Sequence, residues 1–304
     1  MSDSDVLTIM GSRAGSWRAT SMAMFDLPGF DLSAFVRATL AEDLGDGGDI
    51  TSAAVIPAEA RFTGVMDSRD AIVVAGLPIA EAFFRALDRN VAIERLVADG
   101  QRVAAGTDLM HLEGMGRAML TAERSALNTI QHLSGIATMT RAYVDKIAGT
   151  GAILLDTRKT IPGLRLLEKY ATRMGGATNH RMGLWDAAMI KDNHVAVAGS
   201  VAEAVRRAVA AGIRQIIVEV DRVDQIEPAL AAGATHLLLD NMDVPTLRGA
   251  VTLVGGRVPT EASGGVRLDT VRAIAETGVT YISVGRLTQS APAADIGLDF
   301  AAIG

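Results

Sequence analysis

The sequence predicts an α/β protein whose second half is a parallel sheet closed into a β/α barrel. Four short apolar segments recur there, and their ends, at Glu219, Asp240, Glu261 and Val284, are separated by 21, 21 and 23 residues. Each gap holds a helix-like segment that ends in glycine, the residue expected just after a helix C-terminus. Continuous apolar strands that alternate with helices are typical of a parallel sheet covered by helices. The short repeat, without a dinucleotide-binding glycine signature, favours a closed barrel over an open doubly wound sheet.

Six strands of this barrel are assigned from apolar runs that end at a charge or at glycine. A seventh is expected around residues 173–180, and no segment predicts an eighth. Between the strands, the helix-like segment SVAEAVRRAVAAG begins after Ser200, which is expected to be its N-cap. The six segments, in chain order, are GAILLD, AAMI, QIIVEVD, THLLLD, VPTEAS and TYISVG.

The first part of the chain has a different pattern, which predicts a separate α/β unit. The segment GFDLSAFVRATLAEDLGDGGDIT indicates a helix followed by a glycine-aspartate turn, and AIVVAGLPIAEAFFRALD indicates a strand that passes into a helix. The segment DGQRVAAGTDLMHLEG has the spacing of a small β-rich unit, as in lipoyl and biotinyl carriers. No lysine lies on a neighbouring hairpin tip, so we exclude a carrier role. A long helical segment at 121–149 then leads into the barrel.

Composition and charge exclude several classes of function. The 304 residues carry a formal net charge of −6, which argues against nonspecific nucleic-acid binding, because that requires a broad basic surface. The chain has no cysteine, so disulfides and thiolate catalysis are excluded. No apolar run approaches the ~18 to 20 residues that span a bilayer, and residues 1–27 lack the apolar core of a signal peptide. We therefore expect a cytoplasmic protein without membrane or nucleic-acid partners, and a loosely ordered extension at 1–27.

Charged and small residues follow the predicted strands at the end where barrel active sites lie. The stretch 156–194 holds seven Lys or Arg residues against four acids. Charge beside apolar strands costs desolvation energy, so this stretch is either a solvated basic face or an anion-binding pocket. For any single residue a solvated loop position is the simpler interpretation. Charged residues recur at the same end of successive strands, however, and this favours the pocket. The residues concerned are Arg158, Lys159, Lys191, Glu219, Asp240, Ser263, Gly264 and Gly285.

The two strand-end acids and the two glycine loops indicate different ligands. Glu219 and Asp240 could together hold Mg²⁺, which binds carboxylates plus phosphate oxygens and water; pairing with a neighbouring Lys or Arg is an equal alternative. Ser263-Gly264 and Gly285 belong to small-residue loops after the last two strands, where barrel phosphate sites are usually built. Backbone amides in such loops approach a phosphate closely.

The histidines and the long helical segment are less informative. His111, His132 and His236 lie among apolar neighbours and are interpreted as core or surface residues. For His180, a structural and a functional role are equally well supported. For Glu123-Arg124, at the start of the long helical segment, sequence alone favours an ion pair on a helix surface.

Several motifs, in order along the chain, resemble the quinolinate phosphoribosyltransferase family (carboxylating nicotinate-nucleotide pyrophosphorylases). The resemblance runs from Asp31 to Phe300 and leaves residues 1–27 outside. It implies an α/β sandwich domain over 28–126, which the C-terminal segment 291–304 joins, and an incomplete barrel of about seven strands over 127–290. The motifs are EDLGDGGDITS, ERSALNTIQHLSGIAT, DTRKTIPGLRLLEKYATRMGGATNHRMGL, IKDNH, LLLDNM, EASGGV and VGRLTQSAPAADIGLDF.

The resemblance also implies a reaction and a set of site residues. Phosphoribose would pass from phosphoribosyl pyrophosphate to quinolinate, with Mg²⁺, giving nicotinate mononucleotide, pyrophosphate and CO2. A homodimer is implied, in which Arg124 enters the neighbour's pocket. Quinolinate would contact Arg124, Arg158, His180, Arg181 and Lys191. Phosphoribosyl pyrophosphate and Mg²⁺ would use Lys159, Lys191, Glu219, Asp240, Ser263, Gly264 and Gly285, of which Lys159, Lys191, Glu219 and Asp240 are the catalytic candidates.

The chain departs from the family pattern at three points. Arg286 and Gln289 stand where a smaller residue and a histidine are common, and Gly47-Gly48 adds a residue to the acidic turn.

Three alternatives to the implied reaction stay open. They are a phosphoribosyltransferase for another aromatic acid, a Schiff-base aldolase that uses Lys191 or Lys159, and a non-catalytic sensor of anionic metabolites.

Overall fold

A computed structural model describes residues 27–303 of the chain. The extension predicted at 1–27 therefore lies outside the described residues, except for Leu27. Within residues 27–303 no helix is long and apolar enough to cross a membrane.

Two capped helices begin the described part. Helix α1, Leu32–Leu44, starts after Asp31, whose carboxylate accepts a hydrogen bond from the Ala34 amide at 2.8 Å. Helix α2, Ile50–Val55, starts after Asp49, which caps it in the same way. Both caps satisfy amides that have no partner inside the helix. The glycine-aspartate turn predicted from the sequence lies between these two helices.

An antiparallel sheet forms the N-terminal layer, and the end of the chain returns to complete it. Its strand order is β12-β1-β5-β3, so the last strand pairs with the first, with Arg61 opposite Ile303. A two-stranded ribbon of β2 and β4 lies beside it. The strands are β1 (Arg61–Ser68), β2 (Ile72–Val73), β3 (Ala92–Arg95), β4 (Arg102–Val103), β5 (Thr107–Met115) and β12 (Ile296–Ile303).

Two helices cover this layer, and one of them belongs to both hydrophobic cores. Helix α3, Leu77–Leu87, follows β2, as the sequence predicted, and buries Phe83 and Phe84. Helix α4, Gly116–Ile147, is 32 residues long. Its first half packs into the core of the antiparallel layer through residues such as Ile130, while its last turns, with Tyr143, pack into the core of the second layer. The long helix therefore contributes to the cores of both layers.

The second layer is a six-stranded parallel sheet. Its order is β6-β11-β10-β9-β8-β7, and each strand pairs in parallel with its neighbour. All six strands predicted from the sequence are present, and Ser200 caps its helix by accepting a hydrogen bond from Glu203. The strands are β6 (Ile153–Leu155), β7 (Ala188–Ile190), β8 (Ile216–Val220), β9 (His236–Asp240), β10 (Thr260–Ser263) and β11 (Tyr281–Ser283). The helices between and after them are α5 (Arg165–Met174), α6 (Asp192–Ala198), α7 (Val201–Ala210), α8 (Ile226–Ala232), α9 (Val244–Val254), α10 (Val271–Ala275) and α11 (Arg286–Gln289).

The segment predicted as a seventh strand contributes a single bridge. Thr178 forms an isolated parallel bridge with Leu155. The residues before it are helical up to Met174, and Gly175 and Gly176 turn the chain, which leaves too few extended residues for a ladder. Ala187, Ile217 and Leu238 form a small apolar cluster on the sheet. Because all six strands are parallel, their polar C-terminal ends lie along the same edge of the sheet.

Candidate functional site

A cavity of about 870 Å³ opens at the C-terminal ends of the parallel strands. The edge of the sheet brings together residues that lie far apart in the chain, because all six strands run in the same direction. Of the residues predicted for the site, Arg124 alone is not in the cavity lining. The predicted residues that line it are Arg158, Lys159, His180, Arg181, Lys191, Glu219, Asp240, Ser263, Gly264 and Gly285.

Two arginines crowd one side of the cavity. Burial lowers the pKa of Arg181, and the neighbouring charge of Arg158 lowers it further. The Nε atom of Arg158 is buried and finds no hydrogen-bond acceptor among the residues that the structure describes. A buried, unpaired guanidinium nitrogen is costly, and two cations close together repel each other. An anion between them would remove both costs, which favours the anion-binding pocket over a solvated basic face.

The two strand-end acids lie in the same cavity with different partners. Glu219, at the end of β8, forms an ion pair with Lys191. Asp240, at the end of β9, accepts a hydrogen bond from the side chain of Asn241 at 2.6 Å. Residues 27–303 contain no group of three or more His, Cys, Asp or Glu side chains placed to hold a metal ion. A metal held here would therefore need oxygen atoms from a substrate or water beside the two carboxylates, which is how proteins usually bind Mg²⁺.

The small residues in the two glycine loops are required by close contacts. Gly264 and Gly265 both have positive φ, 91° and 60°. A Cβ atom on Gly264 would lie 2.1 Å from the side-chain oxygen of Asn241. Gly285 has an ordinary φ of −68°, but a Cβ atom there would lie 2.7 Å from Cδ of Lys159. The first loop thus needs glycine for its backbone, and Gly285 leaves space for the Lys159 side chain.

A buried acid holds the segment that carries His180 and Arg181. Asp156, which follows β6, is fully buried and forms an ion pair with the equally buried Lys169 of α5. It also accepts hydrogen bonds from the Asn179 side chain at 2.6 Å and from the His180 amide at 2.8 Å. Helix α5 and the segment 179–180 are therefore both bonded to one carboxylate, which positions the cavity wall at 179–181.

A second buried acid faces two histidines. Glu261, on β10, has no exposed surface, and its Oε2 lies 3.2 Å from Nε2 of His180 and 3.1 Å from Nε2 of His236. Burial by itself raises the pKa of Glu261, but the two histidines beside its carboxylate, His180 and His236, outweigh it and lower the pKa to about 2. The ring of His236 also packs against Tyr281, with centroids 5.5 Å apart. The buried carboxylate of Glu261 is therefore ionised.

Comparison with known proteins identifies the family. Residues 49–134 match the N-terminal domain of quinolinate phosphoribosyl transferase, and residues 136–299 match its C-terminal domain. The chain belongs to the quinolinate phosphoribosyltransferase family. The resemblance found in the sequence is thereby confirmed.

Similar proteins span nearly the whole chain. The nicotinate-nucleotide pyrophosphorylase [carboxylating] of Mycobacterium leprae is 46% identical over 274 residues, which cover 87% of this chain and 95% of that protein. The chloroplastic enzyme of the same name from Oryza sativa subsp. japonica is 42% identical over 291 residues, 89% of this chain and 78% of the relative. The crystal structure of NadC from Streptococcus pyogenes superposes with a TM-score of 0.88 at 37% identity, covering 92% of this chain and all of that one.

One predicted site residue does not meet the others in this single chain. Arg124 lies on α4, is exposed and is outside the cavity. Arg286 and Gln289, two of the departures from the family pattern, both line the cavity. The turn with Gly47-Gly48 lies in the N-terminal layer, between α1 and α2.

Sequence reasoning missed Glu261 as a site residue. The sequence pattern marks it only as the end of a strand, although it follows Asp240 by the same 21 residues that separate Asp240 from Glu219. That spacing was the signal that could have found it. His236, interpreted as core or surface, lies inside the sheet against Glu261. No local pattern predicts this contact, since the two residues meet only through the pairing of β9 with β10.

Proposed function

We propose that this chain transfers phosphoribose from phosphoribosyl pyrophosphate to quinolinate and releases CO2, pyrophosphate and nicotinate mononucleotide, a step of NAD biosynthesis. The observation that carries the proposal is the crowding of cations in the cavity, above all the buried Nε of Arg158 that finds no acceptor among the described residues. Both substrates are anions with several charges. The family match and relatives named for this activity support the same conclusion.

Quinolinate is assigned to the side of the cavity that holds the two arginines. Arg158 and Arg181 suit its two carboxylates, because a guanidinium group binds a carboxylate through two parallel hydrogen bonds. Lys191, which also lines this cavity, supplies a further positive charge. His180 lies on the same wall, and its part in binding is taken up below.

Phosphoribosyl pyrophosphate is assigned to the side with the acids and the glycine loops. Ser263-Gly264 and Gly285 leave space for phosphate oxygens to approach the backbone. Glu219 and Asp240 fit Mg²⁺ because they are two carboxylates in one solvent-accessible cavity, and the remaining ligands would be substrate oxygens and water. When bound, Mg²⁺ neutralises charge on the pyrophosphate. The amine of Lys159, held against Gly285, lies where it supports the same charge.

The reaction follows from where charge develops. As the bond between the anomeric carbon and pyrophosphate breaks, its electron pair leaves with the pyrophosphate and the ribose ring becomes positive. The nitrogen of quinolinate donates its electron pair to the anomeric carbon, and the fixed arginines hold it in line. The quaternary nitrogen then accepts the electron pair of the carbon–carboxylate bond, CO2 leaves, and the ring carbon takes a proton from water. Lys159 stabilises the leaving group electrostatically, so no side-chain nucleophile is needed.

Four further features belong to this proposal. The six-stranded sheet, together with the segment at Thr178 that bridges to β6, is an incomplete barrel of about seven strands. Residues 28–126 with 291–304 form one domain, and 127–290 form the other. The active unit is a homodimer in which Arg124 completes the neighbour's cavity. The protein works in the cytoplasm, although relatives from plants are named chloroplastic or mitochondrial.

The test is a turnover assay with quinolinate, phosphoribosyl pyrophosphate and Mg²⁺. CO2 and nicotinate mononucleotide should appear in equal amounts, and nicotinate should be a poor substrate because it has one carboxylate for two arginines. Equal turnover of nicotinate, or transfer without CO2, would contradict the proposal. Borohydride should trap no adduct with a carbonyl substrate on Lys191, since its amine is ion-paired with Glu219; trapping would favour the aldolase.

A further inference from the structure

Every polar atom of His180 already has a partner within the protein. Its amide donates to Asp156 at 2.8 Å, and its carbonyl oxygen accepts from Lys169 at 3.0 Å. Its ring nitrogen Nδ1 accepts a hydrogen bond from the Arg181 amide at 2.7 Å. Its other ring nitrogen, Nε2, lies 3.2 Å from Oε2 of Glu261. The side chain is only 7% exposed, so the ring cannot turn without breaking these contacts.

These contacts decide which ring nitrogen carries the proton. An amide can only donate, so Nδ1 of His180 must keep its lone pair free to accept from Arg181. A neutral imidazole has its proton on the other nitrogen, and Nε2 then donates to the carboxylate of Glu261. The two hydrogen bonds of the ring therefore require the same tautomer, because the Arg181 amide can only donate and the ionised carboxylate of Glu261 can only accept.

We propose that Glu261 is a positioning residue for the reaction. It fixes His180 as the tautomer with hydrogen on Nε2, so that Nδ1 can hold the Arg181 amide and thereby place the Arg181 guanidinium in the quinolinate side of the cavity. His180 therefore acts through Arg181 and does not itself donate to a quinolinate carboxylate. This inference rests on the proposed function for the identity of the ligand, but the tautomer is independent of it.

The position of Arg181 supports this chain of contacts. Its guanidinium lines the cavity, and within the protein it donates to the Ala187 carbonyl at 3.0 Å and contacts the sulfur of Met189. Neither partner is charged. The charge of Asp186 also attracts the Arg181 guanidinium, but within the described residues Asp186 makes no hydrogen bond to it. Because a neutral carbonyl and a thioether hold an arginine only weakly, the backbone anchor at His180 helps to fix its place. Nε2 of His236 lies 3.1 Å from the same carboxylate oxygen of Glu261.

The first experiment measures the tautomer in the wild-type protein. With ¹⁵N-labelled histidine, long-range ¹H–¹⁵N correlation spectra distinguish a protonated ring nitrogen from an unprotonated one. The five histidines are few enough to assign, and a His180→Gln sample identifies the signals of His180. We expect Nε2 to be protonated and Nδ1 to be unprotonated near neutral pH. A proton on Nδ1 would overturn the proposal, whether or not the protein turns over quinolinate.

The second experiment separates positioning from general stability. Glu261→Leu removes the acceptor and should raise the KM for quinolinate at least about tenfold, equivalent to about 1.4 kcal/mol, while the KM for phosphoribosyl pyrophosphate changes less than about twofold. Glu261→Gln keeps an acceptor oxygen for His180 and should recover most of the affinity. Equal changes in both KM values, or a Gln variant as weak as the Leu variant, would refute the proposal. If Glu261→Leu does not fold, the Gln variant still decides: it must show the tautomer of the wild type.

Glu81, on helix α3 in the N-terminal layer, provides a matched control. Glu81 is 2% exposed, accepts from Arg85 at 2.6 Å and lies outside the cavity. Glu81→Leu removes a buried carboxylate in the same way and should lower stability while both KM values stay near those of the wild type. If Glu81→Leu raised the KM for quinolinate as Glu261→Leu does, the effect would be one of stability and the proposal would fail. A wild-type protein that releases no CO2 would refute the proposed function and leave the tautomer result standing.

Discussion

The substitution Gly285→Ala tests the role of Lys159 without touching its charge. The new Cβ atom would lie 2.7 Å from Cδ of Lys159, whereas ordinary contacts begin at 3.4 Å, so the lysine must retreat by about 0.7 Å. The backbone tolerates alanine because φ at Gly285 is −68°. A displacement of this order in a group that stabilises a leaving charge should reduce kcat about 10- to 100-fold, since a misplacement of about 1 Å costs on the order of 100-fold.

Stability should hardly change in this variant. The clash falls on a flexible side chain rather than on backbone, and alanine restricts the unfolded chain more than glycine does, which offsets strain by roughly 0.4–1 kcal/mol. Gly249→Ala is the matched control, since Gly249 lies in α9 with no atom within 4 Å of a Cβ placed there. That variant should keep wild-type kcat and gain roughly 0.5–1 kcal/mol of stability in urea unfolding, as expected for glycine inside a helix.

A double variant decides whether the effect passes through Lys159. Steady-state assays should show Gly285→Ala/Lys159→Ala to be as weak as Lys159→Ala alone, because the displaced group is then already absent. Additive losses in the double variant would mean that the effect of Gly285→Ala does not pass through Lys159. Wild-type kcat in Gly285→Ala would show that Lys159 needs no fixed position, and the reasoning would be refuted.

Three further predictions concern the buried ion pair, the acids and the dimer. Lys169→Met should lower the free energy of unfolding by about 3–5 kcal/mol, measured in urea, because it leaves a buried acid without its cation; a loss below 1 kcal/mol would contradict this. Glu219→Gln and Asp240→Asn should weaken turnover and its Mg²⁺ dependence while quinolinate binding stays nearly unchanged, and a large loss of quinolinate affinity with normal Mg²⁺ dependence would place these acids elsewhere. Arg124→Ala and Lys159→Ala should each be nearly inactive, yet an equal mixture with exchanging subunits should regain about a quarter of wild-type activity, since one site of each mixed dimer inherits no defect. A mixture that stays inactive would place Arg124 in its own chain's cavity.

Local patterns predicted the elements of the second layer well. The six parallel strands and the cap at Ser200 follow from runs of apolar residues, glycines and a hydroxyl group within a few positions of one another. Such features depend on interactions between near neighbours in sequence, so periodicity is enough to predict them. The strand-end residues share the cavity for a related reason, since parallel strands place all their C-terminal ends on one side.

The sequence by itself therefore determined the fold class, the side of the sheet that carries the site and most of the side chains around the cavity. Only the tertiary structure decided how these side chains are held. His180 and Glu261 are 81 residues apart, and Lys169 reaches Asp156 from helix α5, which packs against the long helix α4. These contacts depend on the pairing of strands and on burial, which no local pattern encodes. Lys159 lies against Gly285 for the same reason: β6 and β11, neighbours in the sheet, bring together two loops that are distant along the chain.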